Sequence, residues 1–230
     1  GSLFAFTIRK DRVEETEKEL EELLLPFSEV KIRSASTVIE AEEFLSGTKL
    51  VIQTLKSGTL RPNTLFLTFG EANGNDSEIR ELVEAAWKYR MGTILLRQHS
   101  RKAFGFQQKV NLWLRDKSPN WHLAMLIALQ LQLNWNGKLN LITVAQDQKD
   151  KRRLYDFLEY LSDQARLPFM TEFHVLDGDF YNALKTAPRA DVNIFGMSDD
   201  LNLDILRNIF ECTNASCLFI ADSGGENALV

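Results

Sequence analysis

Short runs rich in β-branched and aromatic residues alternate with amphipathic helical stretches along almost the whole chain, and this alternation constrains the fold more than any other feature. Strands separated by helices need crossover connections, which are right-handed and cover both faces of a mainly parallel sheet. Leu3 to Ile8 reads as a strand. Arg12 to Leu25 puts Val13, Leu20, Leu23 and Leu24, then Phe27, on one face, with glutamates elsewhere, and predicts a surface helix stopped at Pro26. Glu29 to Arg33 reads as a short strand. Thr37 to Lys56 reads as largely helical, with a break near Gly47. Thr64 to Phe69 reads as a buried strand. Asn75 and Glu78 have the spacing of a capping box, and Ile79, Leu82, Val83, Ala86 and Trp87 follow at helical spacing. Gly92 ends that helix, and Thr93 to Leu96 is a further strand.

Residues His99 to Gln108 break the pattern, with Arg101, Lys102 and Gly105 and no period. They read as a connection between lobes. Beyond them the alternation resumes. Strands are expected at Val110 to Leu114, Leu139 to Ala145, Glu172 to Leu176, Val192 to Phe195 and Cys217 to Ala221. Helices are expected at Asn120 to Leu133, Lys149 to Ala165, Asp179 to Thr186 and Leu201 to Cys212. The fold class is therefore α/β: two consecutive three-layer lobes with mainly parallel sheets. The expected division is a first lobe over 1–100, a connection over 101–108 and a second lobe over 109–230. The chain has 230 residues, about one and a half typical domains, which suits that division.

Composition excludes several classes. With 44% hydrophobic and 26% charged residues the chain can bury a core, and no apolar run reaches the roughly 20 residues of a membrane span. A net charge of −5 offers no general attraction to nucleic acid or anionic lipid, so neither a nucleic-acid partner nor membrane insertion of this chain is expected. Cys212 and Cys217 cannot staple a secreted miniprotein, and a reducing setting is the default. No basic segment precedes the apolar start, so no signal peptide is expected.

Strand-to-helix turns are where a doubly wound sheet places its chemistry. Gly70-Glu-Ala-Asn-Gly74 could hold phosphate at a helix N-terminus, but it matches no phosphate-loop motif, and Glu71 and Asp76 would repel the ligand. A plain turn is the preferred reading. His99, His122 and His174 lack metal-ligand spacing, and no nucleophile elbow is present, so neither metal nor catalytic residue is expected. Trp113, Trp121 and Trp135 could build an aromatic cage, although such residues more often fill core.

Two resemblances sharpen this reading. Ala190-Asp-Val-Asn-Ile-Phe-Gly196, followed by Met197-Ser-Asp-Asp200, resembles the universal stress proteins, where a strand ends in glycine and opens a phosphate loop. Gly196 and Ser198 are the degenerate phosphate-loop candidates. Asp199 stands where the second glycine belongs, and Ile209-Phe210 where Gly-Ser belongs. A carboxylate there obstructs backbone approach and repels phosphate, so no nucleotide or other cofactor is expected. Asn111-Leu-Trp-Leu-Arg-Asp116, an apolar helix, and Lys138-Leu-Asn-Leu-Ile-Thr-Val144 resemble the carboxyl-terminal domain of the cation–chloride cotransporters. Gly58-Thr-Leu-Arg-Pro-Asn-Thr-Leu65, Tyr89-Arg-Met-Gly-Thr-Ile-Leu-Leu-Arg97 and Phe219-Ile-Ala-Asp-Ser-Gly-Gly-Glu226 resemble further blocks of that family, in the same order. Lys117-Ser-Pro-Asn120 departs from the family's glycine pair, and the first lobe is short of one βα unit.

The second resemblance implies a universal-stress-like fold and a regulatory, dimerising role on the cytoplasmic side of a membrane. The partner would be the chain's own transmembrane part, which would carry sodium or potassium with chloride. The dimer contact is expected on the last strand, through Leu218 and Ile220, or on the helix before it, because an uncovered strand edge invites pairing. The alternative function is a nucleotide-binding sensor. An α/β enzyme ranks last, because no base, nucleophile or metal set converges.

Overall fold

A computed structural model of the chain describes residues 2–57, 61–71, 73–116, 118, 121–198 and 200–229. The chain forms two compact units, Gly1–Pro62 with Glu81–Tyr89, and Asn63–Arg80 with Arg90–Val230.

The smaller unit begins β1 (Ser2–Arg9), α1 (Val13–Glu29), β2 (Arg33–Glu40) and α2 (Phe44–Ser57). β1 and β2 pair in parallel, from Ser2 against Arg33 to Arg9 against Glu40. Four expectations are corrected here. α1 does not stop at Pro26 but runs to Glu29. A proline in the last turn removes only the bond to the carbonyl four residues back, and the chain then closes through Ile32 N–H to Phe27 O at 2.9 Å. Leu24 is buried but Leu23 is exposed, so the inward stripe of α1 is narrower than its spacing suggested. β2 takes in Thr37, Val38 and Ile39, which had been read as helix; three β-branched residues in a row suit a pleated strand. α2 passes unbroken through Gly47, where a Cβ would come within 2.9 Å of Ile8 Cδ1, so glycine lets this helix close on β1.

The larger unit is built on one seven-stranded sheet. Its strands are β3 (Thr64–Thr68), β4 (Gly92–Arg97), β5 (Lys109–Trp113), β6 (Lys138–Ala145), β7 (Glu172–Asp177), β8 (Val192–Gly196) and β9 (Ser216–Ala221). Their order is β3-β4-β9-β8-β5-β6-β7. All neighbours are parallel except β4 against β9. β3 and β4, expected in the first lobe, thus share a sheet with the strands that follow the 101–108 connection.

The remaining helices are α3 (Asp76–Lys88), of which the residues from Glu81 on belong to the smaller unit, and, in the larger unit, α4 (His122–Trp135), α5 (Gln148–Gln164), α6 (Phe180–Thr186) and α7 (Leu203–Thr213). Asp147, Asp179 and Asn202 cap α5, α6 and α7 by accepting from backbone N–H groups of the first turn. Val110, Leu112, Leu139, Leu141, Val192 and Ile194 of the central strands pack with Leu123, Met125 and Ala128 of α4 and Leu158 and Leu161 of α5. Each fully buried leucine or isoleucine contributes about 1.5–3 kcal/mol.

The uncovered edge expected at the last strand does not exist. β9 is hydrogen-bonded to β4 on one side and β8 on the other. Leu218 and Ile220 are buried in the core. The edge that would invite another copy is already filled by the chain's own β4.

Candidate functional site

The sheet order changes direction at β5, which has β6 on one side and β8 on the other. The crossovers from β5 and β8 leave in different directions, and such a switch point opens a crevice at the strands' carboxyl ends. A cleft of about 740 Å³ lies there, lined by Trp113, Trp121, Phe180, Phe195, Arg153 and Ile205 among others. Its inner wall is aromatic. The rings of Trp113 and Phe195 stack at 5.6 Å between centroids, and Phe180 meets Trp113 edge-on at 5.8 Å. Trp113 Nε1 donates to Asn193 Oδ1 at 3.0 Å, so the indole is fixed at both its face and its nitrogen. Trp121 reaches the cleft as well. Trp135 does not; it packs on Phe104 at 6.3 Å, so the three tryptophans form no common cage.

Gly196 and Ser198 both line this cleft. Ser198 Oγ donates to Asp200 O at 2.8 Å, which turns the hydroxyl onto its own loop. Asp199 lies outside the described residues. Arg153 at the mouth is also paired, while Arg115 makes no ion pair among the described residues. Arg153 bonds Asp116 and, through Nη2, Asp150 Oδ1 at 3.0 Å, and these carboxylates, Asp116 foremost, hold its guanidinium further above its ordinary range. The cleft thus offers a flat apolar wall with Arg115 as an exposed cation at its rim.

The Gly70 to Gly74 turn contains Ala72, outside the described residues. Glu71 pairs with Arg97 at 3.0 Å. Asp76 meets Arg207 through two bonds, Nη1 to Oδ2 at 2.8 Å and Nη2 to Oδ1 at 2.5 Å. The Arg207 hydrogen bond holds the Asp76 carboxyl below its usual range, against the opposing pull of burial. Both carboxylates of this turn serve ion pairs within the larger unit.

At the opposite, amino ends of β5 and β8 lies a second concavity of about 570 Å³. Above it runs a row of asparagines. Asn111 stands in register with Asn140 on one side and Asn193 on the other. Asn140 Nδ2 donates to Asn111 Oδ1 at 2.8 Å, and Asn111 Nδ2 donates to Pro188 O at 2.7 Å. The segment read as an interlobe connection is tied down here. Asp191 accepts from Phe106 N–H at 3.0 Å and from Gln108 and Lys109 N–H at 2.9 Å each. Gly105 has φ +56°, and a Cβ there would lie 2.1 Å from Asp191 Oδ1, so only glycine fits.

The carboxyl-terminal block Phe219 to Glu226 has a role the sequence reading missed. α4 has no side-chain cap of its own at Trp121. Asp222 caps it from a distance, accepting His122 N–H at 2.9 Å and Leu123 N–H at 3.1 Å. Burial pushes the Asp222 carboxyl up, partly offset by those two bonds. An aspartate directly after a buried strand was the available signal, but its partner lies about a hundred residues earlier. Among the described residues no three metal-ligating side chains converge. The buried Cys217 thiol is pushed up to about 12, and Cys212 and Cys217 form no disulfide.

Two family models match consecutive stretches of the chain. Residues 1–104 match the first C-terminal domain of prokaryotic cation–chloride cotransporters, and residues 105–229 match the second. The chain is 32% identical to the cytoplasmic domain of a prokaryotic cation chloride cotransporter of known crystal structure, with a TM-score of 0.89 over 99% of this chain and 87% of that one. A universal stress protein from Archaeoglobus fulgidus DSM 4304 superimposes with a TM-score of 0.54 at 13% identity, covering 91% of this chain and 77% of that one. A protein of unknown function from Pseudomonas aeruginosa PAO1 gives 0.62 at 9% identity, over 97% and 83%. These last two share the fold. No curated protein matches the chain.

Proposed function

The chain belongs to the C-terminal domains of prokaryotic cation–chloride cotransporters, and on that premise we propose that it is a cytoplasmic, non-enzymatic regulatory domain that joins two transporter subunits. The observation that carries this reading is likeness to one such cytoplasmic domain along 99% of the chain. No helix of the described residues is long and apolar enough to cross a membrane, so ion passage falls to a transmembrane partner of the same protein. That partner would carry sodium or potassium together with chloride.

A domain of this kind regulates only if its contacts differ between transporter states. Its dimer surface lies away from Leu218 and Ile220, since both are spent in the core. Exposed Ile205 on α7 belongs to the other surface expected from sequence. Sedimentation equilibrium tests the dimer: a mass that stays at the 26.3 kDa of one chain across concentrations overturns it. Rubidium and chloride uptake by the reconstituted parent, with and without this domain, tests regulation. Unchanged uptake would sink it.

A nucleotide sensor is the second reading, favoured by the cleft at the sheet's switch point. Calorimetric titration with ATP separates the two, because submicromolar binding would favour the sensor.

A further inference from the structure

We propose that the concavity at the amino ends of β5 and β8 binds a compact phosphate-bearing anion, a ligand class beyond the assembly role above. Four cations line it: Lys102 from the connection, Lys109 at the start of β5, Lys185 in the last turn of α6, and Arg189 in the loop before β8. Asp191 is the one carboxylate among the lining residues. Its oxygens accept from the backbone N–H groups of Phe106, Gln108 and Lys109 and it makes no ion pair with any of the four side chains, so its single charge leaves the concavity with an excess of positive charge.

Among the described residues some cations of the larger unit are paired and others, such as Arg115, Lys149 and Arg166, are not; this concavity is distinguished by holding four together. Lys138 pairs with Glu172, Lys151 with Asp177, Arg153 with Asp116 and Arg207 with Asp76. The chain has a net charge of −5, so acidic partners are abundant. Yet Lys109, Lys185 and Arg189 make no ion pair among the described residues, and all three are exposed. Lys102 Nζ donates to Asn214 O at 3.0 Å, which anchors its charge at the rim beside the end of α7. Like charges crowded into one concavity repel each other unless an anion lies among them.

The form of the site favours a compact anion over an acidic peptide. The cations come from separate segments and converge on one concavity, instead of forming a line along a strand or helix. A volume of about 570 Å³ is within the usual range for small-ligand sites. Phosphate groups accept several charge-assisted hydrogen bonds at once, and arginine can meet them through two parallel bonds. Two sources share this chemistry, a soluble phosphorylated molecule and a phosphorylated lipid headgroup.

Calorimetric titration of the full chain with inorganic tripolyphosphate tests the proposal. Saturable binding to one site per chain is expected, weaker at higher salt because the contacts are screened. A Lys109→Gln/Arg189→Gln double variant should bind about tenfold or more weakly, a loss of about 1.4 kcal/mol. Arg152→Gln, at an exposed pair with Asp156 on α5, should bind as the parent does. Thermal denaturation confirms that each variant is folded. Sedimentation with phosphatidylcholine vesicles, with and without phosphatidylinositol phosphates, identifies the source. Vesicle binding lost in the same double variant assigns a headgroup, and tripolyphosphate binding without vesicle binding assigns a soluble ligand. No binding of either probe overturns the proposal, as does a double variant that binds like the parent. Tighter binding of an oligoglutamate peptide than of tripolyphosphate overturns the phosphate class.

Discussion

The two ends of the seven-stranded sheet solve opposite problems. At the carboxyl ends, where a doubly wound fold usually keeps its ligand, a cleft is present but most of its side chains are engaged with one another: Trp113 stacks on Phe195, Ser198 bonds its own loop, and Arg153 is held by two aspartates. At the amino ends a row of asparagines and one aspartate organise the backbone, and cations are left facing solvent. A shared fold therefore fixes where a crevice can open. The side chains at each crevice decide whether anything is left to bind.

The contrast can be broken most severely at Trp113. Trp113→Ala should cost about 3–5 kcal/mol in urea unfolding, because it removes a buried ring and leaves Asn193 Oδ1 with only the Asn111 amide as donor. A loss below about 1 kcal/mol would mean that the carboxyl end is not consolidated by its aromatics. The acid pair is next. Asp76 has its carboxyl depressed in the fold, so its stabilisation is present above the ordinary carboxylate value of about 4 and is lost as pH falls through the lower folded value. Asp76→Asn should cost about 1–3 kcal/mol at neutral pH and flatten the loss of stability on acidification. An unchanged acid limb in urea midpoints would remove Asp76 from that role.

Asp222 has the opposite sign. Its carboxyl is raised, so the folded state holds the proton more tightly; that contribution is full below the ordinary value and fades as pH rises through the raised one. Asp222→Ala should lower stability by about 1–2 kcal/mol through loss of the α4 cap, read as a fall in the unfolding midpoint. The smallest effect sharpens the other side. Lys109→Gln and Arg189→Gln should shift stability by no more than about 0.5 kcal/mol, or raise it slightly, because they relieve repulsion and break no ion pair. A large loss would show that these cations are structural.

What could be read in advance followed the range of each interaction along the chain. The strands and helices of the larger unit were legible because Val110-Asn-Leu112 or Leu154 to Leu161 carry their period within a few residues. β2 was misplaced because Thr37 to Ile39 suit either an apolar helix face or a strand, and only pairing with β1 decides. The asparagine row was visible as an apolar–Asn–apolar pattern in three strands, but its meaning needs their lateral order. The same ignorance of order made β9 look like an edge. Of the candidate site, Gly196, Ser198, Trp113 and Trp121 were found on one cleft, while the basic concavity joins four segments that no motif connects.

The antiparallel insertion of β9 also has a consequence in time. β4 is made more than a hundred residues before the strand that joins it to the rest of its sheet. Until β9 emerges from the ribosome, β3 and β4 form a pair with one open flank, and β8 exposes the other side of the same slot. Such distant pairing is slow, since loop closure comes before its reward. The two halves of the sheet can thus be joined only after the last strand has been made.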